Sequence, residues 1–365
     1  MNTSAEIRPF RVDVPQVDLD DLHARLDRTR WANEIRGSGS DYGVSLDRVR
    51  RLADVWRNSF DWRAFEAKLN AYPQFTTEID GQNVHFLHVR SGRPDALALI
   101  LTHGWPGSVV EYLDVIEPLA EAGFDLVVPS IPGFGFSGPT TERGWDIYRV
   151  ARAWVELMRR LGYPRYGAVG NDGGSMISPE VGRLDPEHVV GVHVTQIFSF
   201  PSGDPAELEN LTEDDAAAVE HLNWFWQSMG AFNQLQSQSP QTLAHALADS
   251  PVGLLGWNGQ LLGEDLDDEF VLGNIATYWF TGTSGSSMRF YYEMAKSAYR
   301  PTEPTTVPIA LAGSSRDFLS IRRFAERDHA NIASWNVYDA GGHYTAHIDP
   351  EILVDDIRRF FADVS

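Results

Sequence analysis

The chain has 365 residues, is 43% apolar and 12% aromatic, and carries a formal net charge of −21. That length and apolar content suit one large α/β domain with an insertion, while the charge disfavours nucleic acid and anionic membranes as partners and fits a neutral substrate better than an anionic one. There is no Cys, which excludes disulfides, thiolate nucleophiles and zinc–thiolate sites. The opening MNTSAEIRPF has no basic segment leading into an apolar run, and no stretch is apolar enough to span a bilayer, so a soluble, cytoplasmic protein is expected.

Taken in chain order, LDDLHARLDRTR (19–30) predicts an amphipathic helix, and residues 46–70 predict two more. FTTEIDGQNVHFLHVRSG reads as a β-hairpin turning at Asp80-Gly81. LALILTHG (97–104) is a continuous apolar run ended by a turn, as in a strand buried on both faces. A second strand runs into the Pro/Gly loop PSIPGFGFSG, and residues 145–162 predict a helix closed by Gly162. Strands are expected again at 166–170 and 189–194. This alternation implies a mostly parallel sheet with helical crossovers. From about residue 198 to 300 the pattern becomes acidic, then aromatic, and all-helical, with Thr212 and Asp215 spaced as a capping box. Strands at VPIALAGSS and SWNVYD then resume the sheet, and a last helix is expected with Asp349 as N-cap and Pro350 at the first helical position. A helical insertion at that point in an α/β sheet is placed to act as a lid.

The stretch RYGAVGNDGGSMIS (165–178) carries the sharpest signal. A short β-prone run meets a glycine-flanked turn and then goes helical, the outline of a nucleophile elbow, with Asp172 where Ser usually stands. Asn, Asp and Gly together also make an ordinary surface turn. Pro179 is expected to kink the following helix. Among the 11 His, His343 stands out because it follows a strand and a Gly-Gly turn, where loops of α/β proteins carry function. His347 lies four residues on, but HYTAH lacks the Glu of a zinc-protease helix and has little room to be helical, so no metal site is expected. Asp317 follows the strand that starts at Val307; alone it reads as a helix N-cap. The order Asp172, Asp317, His343 is nucleophile, acid, base, as in α/β-hydrolases. The oxyanion donors expected are the N–H of Gly173 and that of Trp105 in HGWPGS, where Trp105-Pro106 is a candidate cis peptide.

These residues resemble the epoxide hydrolase family, in its microsomal-type branch, over nearly the whole chain. The likeness is carried by RPFRVDVPQVDLDDLHARLDRTRW, LTHGWPGSVVEY, PSIPGFGFSG, SSMRFYYE and GGHYTAHIDPEILVDDIRRFF. It implies an α/β-hydrolase fold with an N-terminal epoxide-hydrolase-type segment (1–92) that wraps the core, two core parts (93–197 and 301–365) and a helical cap (198–300). It also implies Asp172 as nucleophile, Asp317 as charge-relay acid, His343 as base and Tyr291 as the lid tyrosine that protonates the epoxide oxygen. Trp105, Pro106 and Phe232 are then expected to line the pocket. The chain departs from the family twice. Gly173 stands where Trp is frequent, which is expected to widen the pocket beside Asp172. Phe232 stands where a second lid tyrosine is usual, and a phenyl ring cannot donate to oxygen.

The resemblance implies hydrolysis of an epoxide to a vicinal diol through an ester on Asp172, with no cofactor. The partner is a small epoxide, apolar or aromatic; nucleic acid and membrane are not expected, and a homodimer is left open. Two other readings stand beside it: a dehalogenase using the same Asp nucleophile, and a lid-bearing fold that only binds a hydrophobic small molecule. A serine esterase is disfavoured by Asp172.

Overall fold

The computed structural model describes residues 6–364. Its strands are β1 (Arg8–Phe10), β2 (Gln74–Ile79), β3 (Gln82–Val89), β4 (Leu97–Thr102), β5 (Phe124–Pro129), β6 (Tyr166–Gly170), β7 (Val189–Val194), β8 (Ile309–Ser314) and β9 (Ile332–Tyr338). They form one sheet in the order β1-β2-β3-β5-β4-β6-β7-β8-β9. Pairing is antiparallel from β1 to β5 and parallel from there to β9. The hairpin turns where the sequence predicts, with Asp80 and Gly81 both at positive φ (51° and 75°), the geometry that matches strand twist.

Every residue of β6 and β8 is buried, which requires helices on both faces of the sheet. The amphipathic helix Ile147–Leu161 packs on the helix Gly173–Leu184, and Leu113–Ala122 packs on the terminal helix Pro350–Val364. Strand order reverses at β4, with β5 on one side and β6 on the other. Loops leaving the carboxyl ends of such strands diverge and open a crevice, the usual place for a ligand.

Between β7 and β8 the chain is helical throughout, from Glu213–Ser228 to Ser284–Lys296. Thr212 caps the first of these helices by accepting from the Asp215 N–H at 3.1 Å. The N-terminal helices Gln16–Asp27, Leu46–Asn58 and Trp62–Leu69 reach across to this insertion. Arg48 donates to the carbonyls of Leu262 and Gly263, and Arg51 pairs with Asp268 at 2.7 Å. The exposed ion pair adds little stability. The apolar contact is tighter: the Phe65 ring lies 2.3 Å from where a Cβ on Gly273 would sit, so only glycine lets this lid helix come so close.

Pro179 lies inside the helix Gly173–Leu184, which continues past it to Leu184. Two local expectations are corrected. HYTAH does contain a short helix, Thr345–Ile348. Asp349 closes that turn instead of capping the next helix: its carboxylate accepts from the Gly341 N–H at 2.5 Å.

Candidate active site

The elbow is built by close approach. Strand β6 ends at Gly170, and Asp172 takes φ 51°, ψ −117°, a strained conformation for a residue with a Cβ. A Cβ on Gly174 would lie 1.8 Å from the Thr102 carbonyl oxygen, and one on Gly104 would lie 2.1 Å from Asp172 Oδ1. Both glycines are therefore required for the turn to lie against β4 and for the HGWPGS loop to approach the carboxylate. That approach lets the Trp105 N–H donate to Asp172 Oδ1 at 2.9 Å. The Gly173 N–H also bonds the carboxylate. Both expected oxyanion donors thus meet on Asp172. The Trp105-Pro106 bond is cis, and Pro106 is buried.

Asp317 and His343 arrive from the ends of β8 and β9. His343 Nδ1 lies 3.0 Å from Asp317 Oδ1, and Nε2 lies 3.8 Å from Asp172 Oδ2. Asp317 is not a helix cap; the next helix begins only at Arg322. Burial opposes charge on His343, but Asp317, Asp172 and Glu111 outweigh it and raise the imidazole pKa to about 10. Burial also works to raise the Asp317 pKa, yet His343 and Gln196 together hold it below the usual carboxylate value. At Asp172 burial wins, and its pKa is raised despite His343 and the two N–H donors.

The lid delivers the aromatics. Tyr291 is 9% exposed and its hydroxyl pKa is pushed well up by burial and by Asp172, which keeps the phenol neutral. Phe232 stacks on Trp105 with ring centroids 5.5 Å apart, and both meet Tyr291 edge-on at 6.0 Å. Tyr292, the neighbouring phenol, is 36% exposed and lies beside Lys296, away from this cluster. The space that Gly173 was expected to leave open is partly filled: the Phe290 ring lies 3.5 Å from where a Cβ on Gly173 would be. His347 bonds Asp114 at 2.6 Å and Asp267 at 3.1 Å, which ties the histidine loop to the lid.

Sequence reasoning missed Gln196, Glu111 and Phe290. Gln196, fully buried just past β7, accepts from the Asp172 N–H at 2.8 Å and donates to Asp317 Oδ2 at 2.6 Å. Nothing local marks such a glutamine. Glu111 could have been noticed, as an acid inside an otherwise apolar VVEY.

A mostly parallel sheet with a strained, glycine-flanked turn at Asp172, paired backbone donors and an acid–histidine pair after later strands defines an enzyme of the α/β-hydrolase fold. The model of that fold matches residues 98–269, and the model described as the epoxide hydrolase N terminus matches residues 7–112. A putative epoxide hydrolase from Stigmatella aurantiaca is 36% identical over 97% of this chain and 84% of its own length. Epoxide hydrolase 1 of Sus scrofa is 31% identical over 97% and 88%. The chain belongs to the epoxide hydrolase family. A directed-evolution mutant of the Aspergillus niger epoxide hydrolase superposes with a TM-score of 0.90 at 28% identity, covering 100% of this chain and 98% of that one. Among the described residues no helix is long and apolar enough to cross a membrane.

Proposed function

We propose that this epoxide hydrolase works in two covalent steps on Asp172. Asp172 Oδ2 attacks an epoxide carbon, the carbon–oxygen bond of the ring breaks, and Tyr291 gives its proton to the departing oxygen. His343, oriented by Asp317, then takes a proton from water, and the hydroxide oxygen adds to the Asp172 carbonyl carbon. The N–H groups of Trp105 and Gly173 hold the oxyanion. Collapse releases the diol, whose leaving oxygen takes back the proton from His343; the acid left on Asp172 holds the second proton of the water, and its loss to the Tyr291 phenolate restores both carboxylate and phenol. The scheme balances with water alone. The observation that carries it is the division of labour between the two Asp172 oxygens: Oδ1 is already held by the Trp105 N–H, while Oδ2 faces His343.

Trp105, whose N–H bonds the carboxylate, belongs to one cluster of rings with Phe232, Phe290 and Tyr291, which favours a small apolar or aromatic epoxide. Residues 198–300 act as the lid, and the described part of the N-terminal segment, residues 6–92, clamps it. The test is one turnover with enzyme in excess in heavy-oxygen water. The first diol should carry ordinary oxygen from the protein, and the label should enter the peptide containing Asp172, never the one containing Asp317. Label in the first-turnover diol would mean that water attacks the epoxide directly, and the two-step reading would fail.

A further inference from the structure

Glu111 has no part in the scheme above, yet it sits at its centre. It lies in the single helical turn Val109–Tyr112 that follows HGWPGS and is 1% exposed. Its Oε1 receives a long bond from Asn171 Nδ2, at 3.4 Å. Its Oε2 is buried with no hydrogen-bond partner among the described residues, an arrangement that costs free energy unless something else satisfies it. A Cβ on Gly107 would lie 2.3 Å from that oxygen, so the glycine in the loop is what leaves room for it. Burial pushes the carboxyl pKa up to about 8, against the pull of His343 and Asn171.

Beside it is a cavity of about 10 Å³ lined by Glu111, Asn171, Thr195, His343 and Tyr344 among others. That is about the space one water needs, and a buried water requires two to four polar partners. Glu111 Oε2 is one; the Tyr344 hydroxyl, also buried and unpartnered, is another. The histidine that must find a water for ester hydrolysis borders the same cavity.

We propose that Glu111 is a positioning residue for the second half-reaction, holding through Oε2 a single water beside His343. The inference rests on the ester scheme above. In that step His343 takes one proton from water, the oxygen bonds to the Asp172 carbonyl carbon, the bond from that carbon to the alkyl oxygen breaks, and the alkoxide recovers the proton from His343. Glu111 neither gains nor loses a proton over the cycle. Its effect falls on the ester and not on ring opening, because ring opening uses no water.

The experiment follows both steps by rapid quenching and intact mass, using a styrene-type epoxide with the wild type, Glu111→Leu and Glu111→Gln. In Glu111→Leu the ester should decay ~100-fold more slowly while ring opening stays within about 3-fold, the size of effect expected when a reactant loses its positioning. Glu111→Gln, which keeps a polar amide in place, should slow ester decay ~10-fold; it carries the test if the leucine variant does not fold. Ester decay at the wild-type rate in a folded variant overturns the inference, and so does equal slowing of both steps, which marks general distortion. If the wild type itself turns over without forming an ester, the two-step scheme fails and takes this inference with it.

Discussion

Gln196 joins Asp172 to Asp317: its Nε2 donates to Asp317 Oδ2 at 2.6 Å while its Oε1 accepts from the Asp172 N–H at 2.8 Å. Asp317 therefore has one oxygen fixed by an amide and the other turned to His343. Gln196→Leu, close in volume, removes a bond to a charged group, worth about 1.5–3 kcal/mol. We expect kcat to fall ~10- to 100-fold with a smaller change in KM. Steady-state kinetics on a variant with a wild-type circular dichroism spectrum would settle it, and an unchanged kcat would show that His343 and the Phe318 N–H hold Asp317 without Gln196.

On the two-step scheme proposed above, His343→Gln should open epoxide and stall at the ester, because Asp172 and His343 are separate groups whose facing atoms are 3.8 Å apart. Intact mass after mixing should show protein plus one substrate. An unmodified variant, under conditions where the wild type turns over, contradicts the two-step scheme.

Tyr291→Phe should lose ~100-fold or more in kcat, the usual cost of losing a general acid. Phe232 cannot substitute, and Tyr292 points away. Adding a phenol by Phe232→Tyr in the Tyr291→Phe background should recover part of the loss. If Tyr291→Phe keeps most of its kcat, the proton comes from elsewhere.

A second buried acid supports the fold and not the chemistry. Asp356, 2% exposed, bonds His193 at 2.9 Å, Asn336 at 2.7 Å and the Tyr338 hydroxyl. Burial works against its charge, but these partners prevail and hold its pKa at about 2, from an ordinary 3.8. A depressed folded-state pKa contributes stability that is present above the unfolded value and lost as pH falls through the folded one. Asp356→Asn should therefore cost about 2 kcal/mol at pH 7, and the gap to wild type should narrow between about pH 4 and pH 2. Denaturant unfolding at both ends of that window measures it; a gap that does not change with pH would place the stabilisation in packing.

Much of this molecule follows from short stretches of chain. Buried strands read as apolar runs, the hairpin reads from Asp80-Gly81, and the elbow reads from small residues around Asp172, because strand burial and turn geometry depend on neighbours a few positions away. The order of Asp172, Asp317 and His343 needed only the strands between them. The tertiary structure alone decided which groups meet across the sheet. Gln196 and Asp317 are 121 positions apart, and no periodicity links them. Phe290 enters the space beside Gly173 because a lid helix lies over the elbow. Asp349 looked like a cap and instead holds the histidine turn, because the short helix Thr345–Ile348 brings its carboxylate back to Gly341. Glu111 became a candidate only when burial left its Oε2 without a partner, a property of the packed interior that composition and spacing do not record.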